Sequence, residues 1–501
     1  MKINKQKIDE IMNVKIDNNR IIVYLLLIVF ALFLAMLNSI SVLNKDSYIS
    51  IDVAVWTNIA KLMKEGRIIY RDIFDHKGPI LLILYFFSYS IGKINGIWFM
   101  DFLCSIVNVI VIYLIARKFN LSRIKSIIIV AISVIFLSLL CLENPCTESI
   151  ALPFILISFY YFIRFIKNSN SFRRKESFIT GICLGIVLLI RPNLASLWVI
   201  YDIFIFLKLL KKKEVKILLS IIEFSFLGVF FICIPIFLYL YINNAMGDFI
   251  KIYCIFNFKY AGAKEQTLIK TILDFIKLSK GILLITFVNY IGIFIYIIKN
   301  KIKDKELIIT GFIYYLFTFY LVIMPQRSYI HYLIPMLPSF LIPMILTLKY
   351  IKIRKILSKI FVIICIIIRI IIMNANIIEK KKKWGYSIYL DSISKFIKEN
   401  SKIEDNILQL GNRANIYLLS ERQYKGKYFY QIPIAFQNKE IGNAILNEIE
   451  RDYPKIIIDT WKNWKVNKED NESTRSFKTK IKRVLDEKYI KKNLTEYILK
   501  E

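Results

Sequence analysis

The sequence predicts a polytopic α-helical membrane protein with a small α/β domain at its C-terminal end. Three observations predict this class. Of 501 residues, 56% are hydrophobic, and mean hydropathy is +0.51. The apolar residues fall in recurring runs at or near the length needed to cross about 30 Å of hydrocarbon. Past residue 375 those runs stop, and short strand-like and helix-like patterns replace them. Net charge is +32, from 70 Lys and Arg against 38 Asp and Glu. In a soluble chain that balance points to nucleic acid. Here the basic residues cluster in loops between apolar runs, where they act as topology signals, and nucleic-acid binding is set aside. Most of the seven cysteines sit inside apolar segments and none lies in the polar C-terminal part, so no disulfide framework or CxxC metal site is visible.

The first twenty residues are polar and mildly basic, which predicts a cytoplasmic N-terminus. The apolar run Ile21 to Leu43 is too long for a signal-peptide core and reads as a retained anchor. The polar loop Asn44–Pro79 follows, on the outer side. Within it Ile51, Val55, Ile59 and Leu62 recur at helical spacing, as in an amphipathic helix lying along the membrane surface. The next apolar run, Ile80 to Ile91, is short for a span. If it crossed, the cluster Arg117, Lys118, Arg123 and Lys125 would lie outside. If it is re-entrant or interfacial, that cluster and the later ones at 167–175, 211–213, 299–305 and 349–355 all lie inside. The second choice obeys the positive-inside rule throughout and gives about eleven spans. It also predicts an extracytoplasmic C-terminus.

Two domains follow: residues 1–375 in the membrane and 376–501 outside it. In the second, Tyr386–Asn400 and Lys439–Arg451 read as helices. Asn406–Leu410, Ile416–Ser420 and Lys455–Thr460 read as strands, and a basic helical tail closes the chain.

The topology places Asp52, Asp75, His76, Lys77, Glu143, Glu148, Arg191, Arg327 and His331 on one side. Asp52, at the head of the surface helix, is placed as a general base, or else is an ordinary first-turn acid. Lys77, beside a helix start at Gly78-Pro79, suits a phosphate, through its charge and through free backbone N–H groups. The alternative is a turn of solvated charges. Asp75 and His76 flank it, but a lone His beside an Asp is not a metal site. Arg327 and His331 are four apart and would share a face of a helix, as a cationic clamp or as part of an interfacial belt. Arg191 breaks an apolar run, and Glu143 and Glu148 bracket Pro145 in a short loop. Asp202 and Glu223 lie within apolar runs and would suit a transporter or a lipid-linked-glycan flippase, the competing reading. A non-catalytic scaffold is a third.

The pattern of one span, a loop with an early Asp, G-x-x-x-Y-x-D-x-x-D-H-K-G-P at 66–79, T-E-S at 147–149, R-P-N at 191–193 and H-Y-L-x-P-x-L-P at 331–338 is familiar. It resembles the GT-C superfamily of integral membrane glycosyltransferases, over roughly residues 20–375. It is most similar to the branch with rhizobial lipopolysaccharide galacturonosyltransferases, the aminoarabinose transferase of lipid A and protein O-mannosyltransferases. The resemblance implies a sugar donor carried on a polyprenyl monophosphate, an envelope acceptor and inversion at the anomeric centre. It implies Asp52 as base, Lys77 as phosphate ligand and Glu148, less well Glu143, assisting at the acceptor. The family's usual Asp-Glu pair is here Asp52-Val53, and its Pro-Pro after the lysine is here Gly-Pro. Some members use a divalent cation and others none, so no metal ligands are assigned.

Overall fold

The computed structural model describes residues 18–38, 40, 49–140, 144–167, 173–257, 266–350, 388–430, 432–436, 438–467 and 470–500. Glu143, most of the loop before Ile49 and the expected span at 356–373 lie outside these residues. Helix α1 is Asn18–Ala35, α2 is Ile51–Lys64 and α3 is Pro79–Lys118. Then come α4 (Arg123–Leu140), α5 (Thr147–Lys167), α6 (Arg174–Leu188), α7 (Ser196–Lys211) and α8 (Val215–Ile242). A short helix α9 (Met246–Phe249) runs into a π-helical segment, Ile250–Phe256. Helices α10 (Leu268–Leu278), α11 (Ile282–Lys299), α12 (Lys305–Ile323) and α13 (Leu337–Tyr350) follow, with a 3₁₀ segment, Ile330–Met336, leading into α13. Among the described residues, eight helices are long and apolar enough to cross a membrane.

The short apolar run is the first limb of α3. The helix breaks at Gly92 (φ −145°, ψ 20°) and Lys93 (φ 50°, ψ −132°). A Cβ on Gly96 would stand 1.9 Å from the carbonyl oxygen of Ser88, so the chain doubles back there. The limb starts where Gly78 N–H donates to Ile190 (3.1 Å), passes Pro145, whose carbonyl accepts from Tyr85 (2.6 Å), and ends near Ala35, whose carbonyl accepts from Trp98 (3.0 Å). All three partners lie at the same end of the bundle. The limb therefore returns to the end it started from, as a re-entrant or interfacial helix does.

The other end is built from basic loops. Lys349 pairs with Asp304 (2.6 Å), Lys208 with Glu306, and Lys125 donates to the carbonyl of Leu348. Lys167 sits 3.9 Å over the Phe119 ring. Elsewhere small residues bring helices close. A Cβ on Gly228 of α8 would lie 2.2 Å from the carbonyl oxygen of Phe178, and one on Gly181 of α6 lies 2.1 Å from that of Ser225. Such crossings are a common means of packing helices where lipid offers no hydrophobic gain.

The C-terminal domain has helix α14 (388–400), strand β1 (Ile407–Leu410), α15 (Asn415–Ser420), α16 (Lys439–Arg451) and β2 (Ile456–Asp459). It closes with α17 (Glu472–Lys488), β3 (Tyr489–Lys491) and β4 (Glu496–Leu499). The sheet order is β1-β2-β4-β3, with β1 and β2 parallel and the other pairs antiparallel. Two expectations fail here. Ile416–Ser420 is not a strand but lies within α15. A helical turn lets Ile416 and Tyr417 both bury, and the Tyr417 hydroxyl takes the Gln409 N–H (3.0 Å). The tail is not helical throughout, because β3 and β4 fold back onto the open side of β2. The domain sits on the end of the bundle away from the basic loops: Asn58 donates to Ala414 (2.8 Å), Asn415 to Ile49 (2.7 Å), and Lys427 pairs with Asp248 (3.1 Å).

Candidate active site

Ser50 caps α2 by accepting from the Val53 N–H (3.3 Å), which leaves Asp52 in the first turn. Asp52 is exposed, while Val53 to Ala60 and Leu62 are buried. That burial corrects the expectation of a helix with one face on the membrane. Trp56 packs edge-on against Tyr85 of α3, and the C-terminal domain covers the other side through Asn58. The hydrophobic spacing could reveal only one of the two faces.

The loop after α2 is held in an unusual path. Gly66 has φ 92° and Tyr70 φ 67°. For a tyrosine that region costs about 1–3 kcal/mol and persists only when surroundings impose it. Here the fully buried Tyr70 ring delivers its hydroxyl to the Lys77 carbonyl (2.7 Å). The Asp75 carboxylate takes the Lys77 N–H on one oxygen (2.6 Å) and the Tyr430 hydroxyl on the other (2.5 Å). Lys77 Nζ lies 3.2 Å from His76 Nε2. The helix start does not offer the free donors that the sequence suggests. Gly78 and Ile80 give their N–H groups to the carbonyls of Ile190 and Leu189 (3.1 Å each). The contact is so close that a Cβ on Gly78 would lie 2.0 Å from the Leu189 oxygen, which accounts for glycine before Pro79.

Around this loop the remaining candidates assemble. Glu148 is 1% exposed. One of its oxygens pairs with Arg191, and the other accepts from Thr147 (2.6 Å). The Arg191 guanidinium also lies 4.7 Å from the centre of the Tyr332 ring. Arg327 and His331 are both buried, but they do not share a helix face. Gln326 has φ 52°, the chain from there to Tyr329 is not helical, and His331 lies in the first turn of the 3₁₀ segment, between Tyr329 (rings 5.7 Å) and Tyr332 (5.0 Å).

The charges act on one another. Burial pushes the Asp75 carboxyl up to about 6, with Asp52 adding to the rise and Tyr430 and Lys77 opposing it. Burial, then the Lys77, Arg191 and Arg327 charges, hold His76 well below its usual range. Burial and Arg191 lower Lys77, while Asp52, Asp75 and Glu148 raise it. Hence Asp52, Asp75, His76, Lys77, Glu148, Arg191 and Arg327 form one electrostatic group, and His331 joins it through Glu148. Asp202 and Glu223 do not; both are exposed on the outside of the bundle. Among the described residues no group of three His, Cys, Asp or Glu is arranged to hold a metal ion.

Beside Arg191 a small cleft opens, with Glu148, Arg191, Asn193 and Tyr332 at its polar end and Leu194, Leu321, Val322 and Pro335 along its apolar wall. Two contributors escape a reading of the sequence. Tyr430 comes from another domain, 355 residues from Asp75. Tyr70 stands in the motif, but its positive φ has no signal there.

Among solved structures the fold is similar to that of ArnT from Cupriavidus metallidurans bound to undecaprenyl phosphate. The TM-score is 0.60 at 8% identity, covering 96% of this chain and 98% of that one. The apo state of the same protein gives 0.60 at 8% identity, over 95% and 97%. At that identity the likeness establishes a shared fold across nearly the whole chain, including the C-terminal domain. No curated protein matches in sequence. The family model described as the putative competence-induced protein Ccs4 N-terminal domain matches residues 12–360, and the chain belongs to that family.

Proposed function

We propose that the protein transfers a sugar from a polyprenyl-phosphate carrier to a hydroxyl of a cell-envelope glycan, lipid or protein, at the outer face of the membrane and with inversion. The observation that carries this reading is the meeting of three cations, Lys77, Arg191 and Arg327, beside an exposed carboxylate, Asp52, next to a cleft with one polar end and one apolar wall. The shared fold with a protein crystallised with undecaprenyl phosphate supports it.

The roles follow from charge. The acceptor oxygen attacks the anomeric carbon and gives its proton to Asp52, since a neutral hydroxyl is a weak nucleophile. The bond from that carbon to the carrier oxygen breaks, and its electron pair leaves with the phosphate. Lys77, Arg191 and Arg327, with His331 nearby, stabilise the growing negative charge. Glu148 has both oxygens engaged, so its part is to hold Arg191 against Tyr332. Such a reaction needs the donor's tail to stay in lipid while its head enters the cleft, which explains a catalytic centre at the end of a membrane bundle.

The test is Asp52→Asn in purified protein supplied with a polyprenyl-phosphate sugar, identified from the envelope glycan missing in a deletion strain. Transfer should fall by about 10²–10⁴-fold while undecaprenyl phosphate still binds. Full activity in that variant overturns the reading. Dependence on Asp202 or Glu223 instead would point to transport.

A further inference from the structure

The seam between the loop and the C-terminal domain is more than contact. Phe74 N–H donates to the Lys427 carbonyl (3.0 Å), and the Phe74 ring lies 5.1 Å from that of Tyr428. Arg67 gives one nitrogen to the Tyr424 carbonyl (3.1 Å) and another to that of Gly426 (2.7 Å). At the centre of this seam Tyr430 and Asp75, 3% and 1% exposed, meet directly. Asp75 then passes the connection on to the Lys77 N–H.

We propose that Tyr430 is a positioning residue for Lys77. Its hydroxyl anchors Asp75, Asp75 anchors the Lys77 backbone, and the lysine therefore reaches its working place only when the C-terminal domain is seated. Geometry supports this chain of contacts. The backbone around Lys77 is held by Tyr70 at its own carbonyl, by Ile190 at the following N–H and by Asn257 at the preceding carbonyl (2.7 Å), and the tie at the Lys77 N–H is the one that runs through Asp75 to the C-terminal domain. That tie depends on a carboxylate with two acceptor oxygens, one of which is committed to the other domain. Domain docking and the cationic pocket are thus mechanically linked. The inference rests on the proposed role of Lys77 toward a phosphate.

Two measurements on the full-length protein in lipid nanodiscs test it. The first is amide hydrogen exchange over residues 74–80 in Tyr430→Phe. The second is undecaprenyl phosphate affinity in the wild type, Tyr430→Phe, Lys77→Ala and the double variant. Tyr430→Phe should speed exchange in that segment and weaken binding about tenfold, the effect of losing one hydrogen bond to a charged group. It should have no further effect once Lys77 is gone, since the two act as a unit. Unchanged exchange overturns the proposal, as do losses that add independently in the double variant. If the wild type fails to bind undecaprenyl phosphate, the proposed function fails, and the exchange result alone then decides whether Tyr430 fixes Lys77. Should Tyr430→Phe not fold, Asp75→Ala, which removes both acceptor oxygens, serves in its place and must loosen the same segment.

Discussion

Asp75 behaves unlike an ordinary aspartate. Its carboxyl titrates at about 6 rather than near 4, because burial disfavours the charge more than Tyr430 and Lys77 favour it. The sign for stability follows directly. A carboxyl whose folded value is raised binds a proton more tightly in the native state. Its contribution is present below the unfolded value and is lost as pH rises from about 4 through 6. The difference is on the order of 3 kcal/mol, enough to appear in a melting curve. Asp75→Asn carries no such proton, so its Tm should decline less than that of the wild type across this window. Parallel Tm–pH profiles for the two proteins would refute the assignment. At this scale the grouping of the candidate residues was partly legible. Asp52, Asp75 and Lys77 stand in one polar stretch, and the placement of basic loops brought Glu148, Arg191 and His331 to the same end. What stayed hidden was pairing. Nothing local tells that Glu148 is spent on Arg191, that Gly78 and Ile80 have no N–H to spare, or that Asp75 has a partner in the next domain.

Elements were legible where periodicity and length agree. Lys439–Arg451 is helical over the expected span, and Ile407–Leu410 and Ile456–Asp459 are strands. The segment at 416–420 went wrong because its composition is β-like while its neighbours bury both sides of a helical turn. Tertiary packing routinely overrides propensity at that length. The first limb of α3 was legible through its shortness and through charge, not through any turn signal at Gly92. Close helix crossings are invisible in periodicity, yet they make a sharp prediction. Gly228→Leu must push α8 from α6, since even a methyl meets the backbone of Phe178 and Ile182. Overpacking of this kind costs roughly 1–3 kcal/mol or more. Gly292 of α11 has nothing within 4 Å of a Cβ and provides the control. In detergent, Gly228→Leu should melt several degrees lower than the parent and Gly292→Leu should not; equal stability of the two would refute the close crossing.

At the scale of the whole molecule, the bundle has two chemically different ends. One carries Lys125, Lys167, Lys208 and Lys349 with the carboxylates that partner two of them. The other carries the cationic pocket and the C-terminal domain. Both ends are basic, but for different reasons. Cations of the first sit in loops, where they fix orientation by resisting transfer across the bilayer. Those of the second, Lys77 and Arg191 half-buried and Arg327 buried, sit among carboxylates and aromatic rings, where a charge is tolerated only with partners. The proposed orientation, with the loop end toward the cytoplasm and the pocket end outward with the C-terminal domain, draws on that difference. Single cysteines at two exposed positions test this: Lys303→Cys in the loop before α12 and Lys480→Cys on α17. A membrane-impermeant maleimide added to intact cells, with labelling of the parent chain subtracted, should modify the second and reach the first only after permeabilisation. The reverse pattern would put the pocket on the cytoplasmic side. A carrier-linked sugar displayed outside could then not reach Asp52, and the proposed reaction would have to draw on a donor from the inner leaflet.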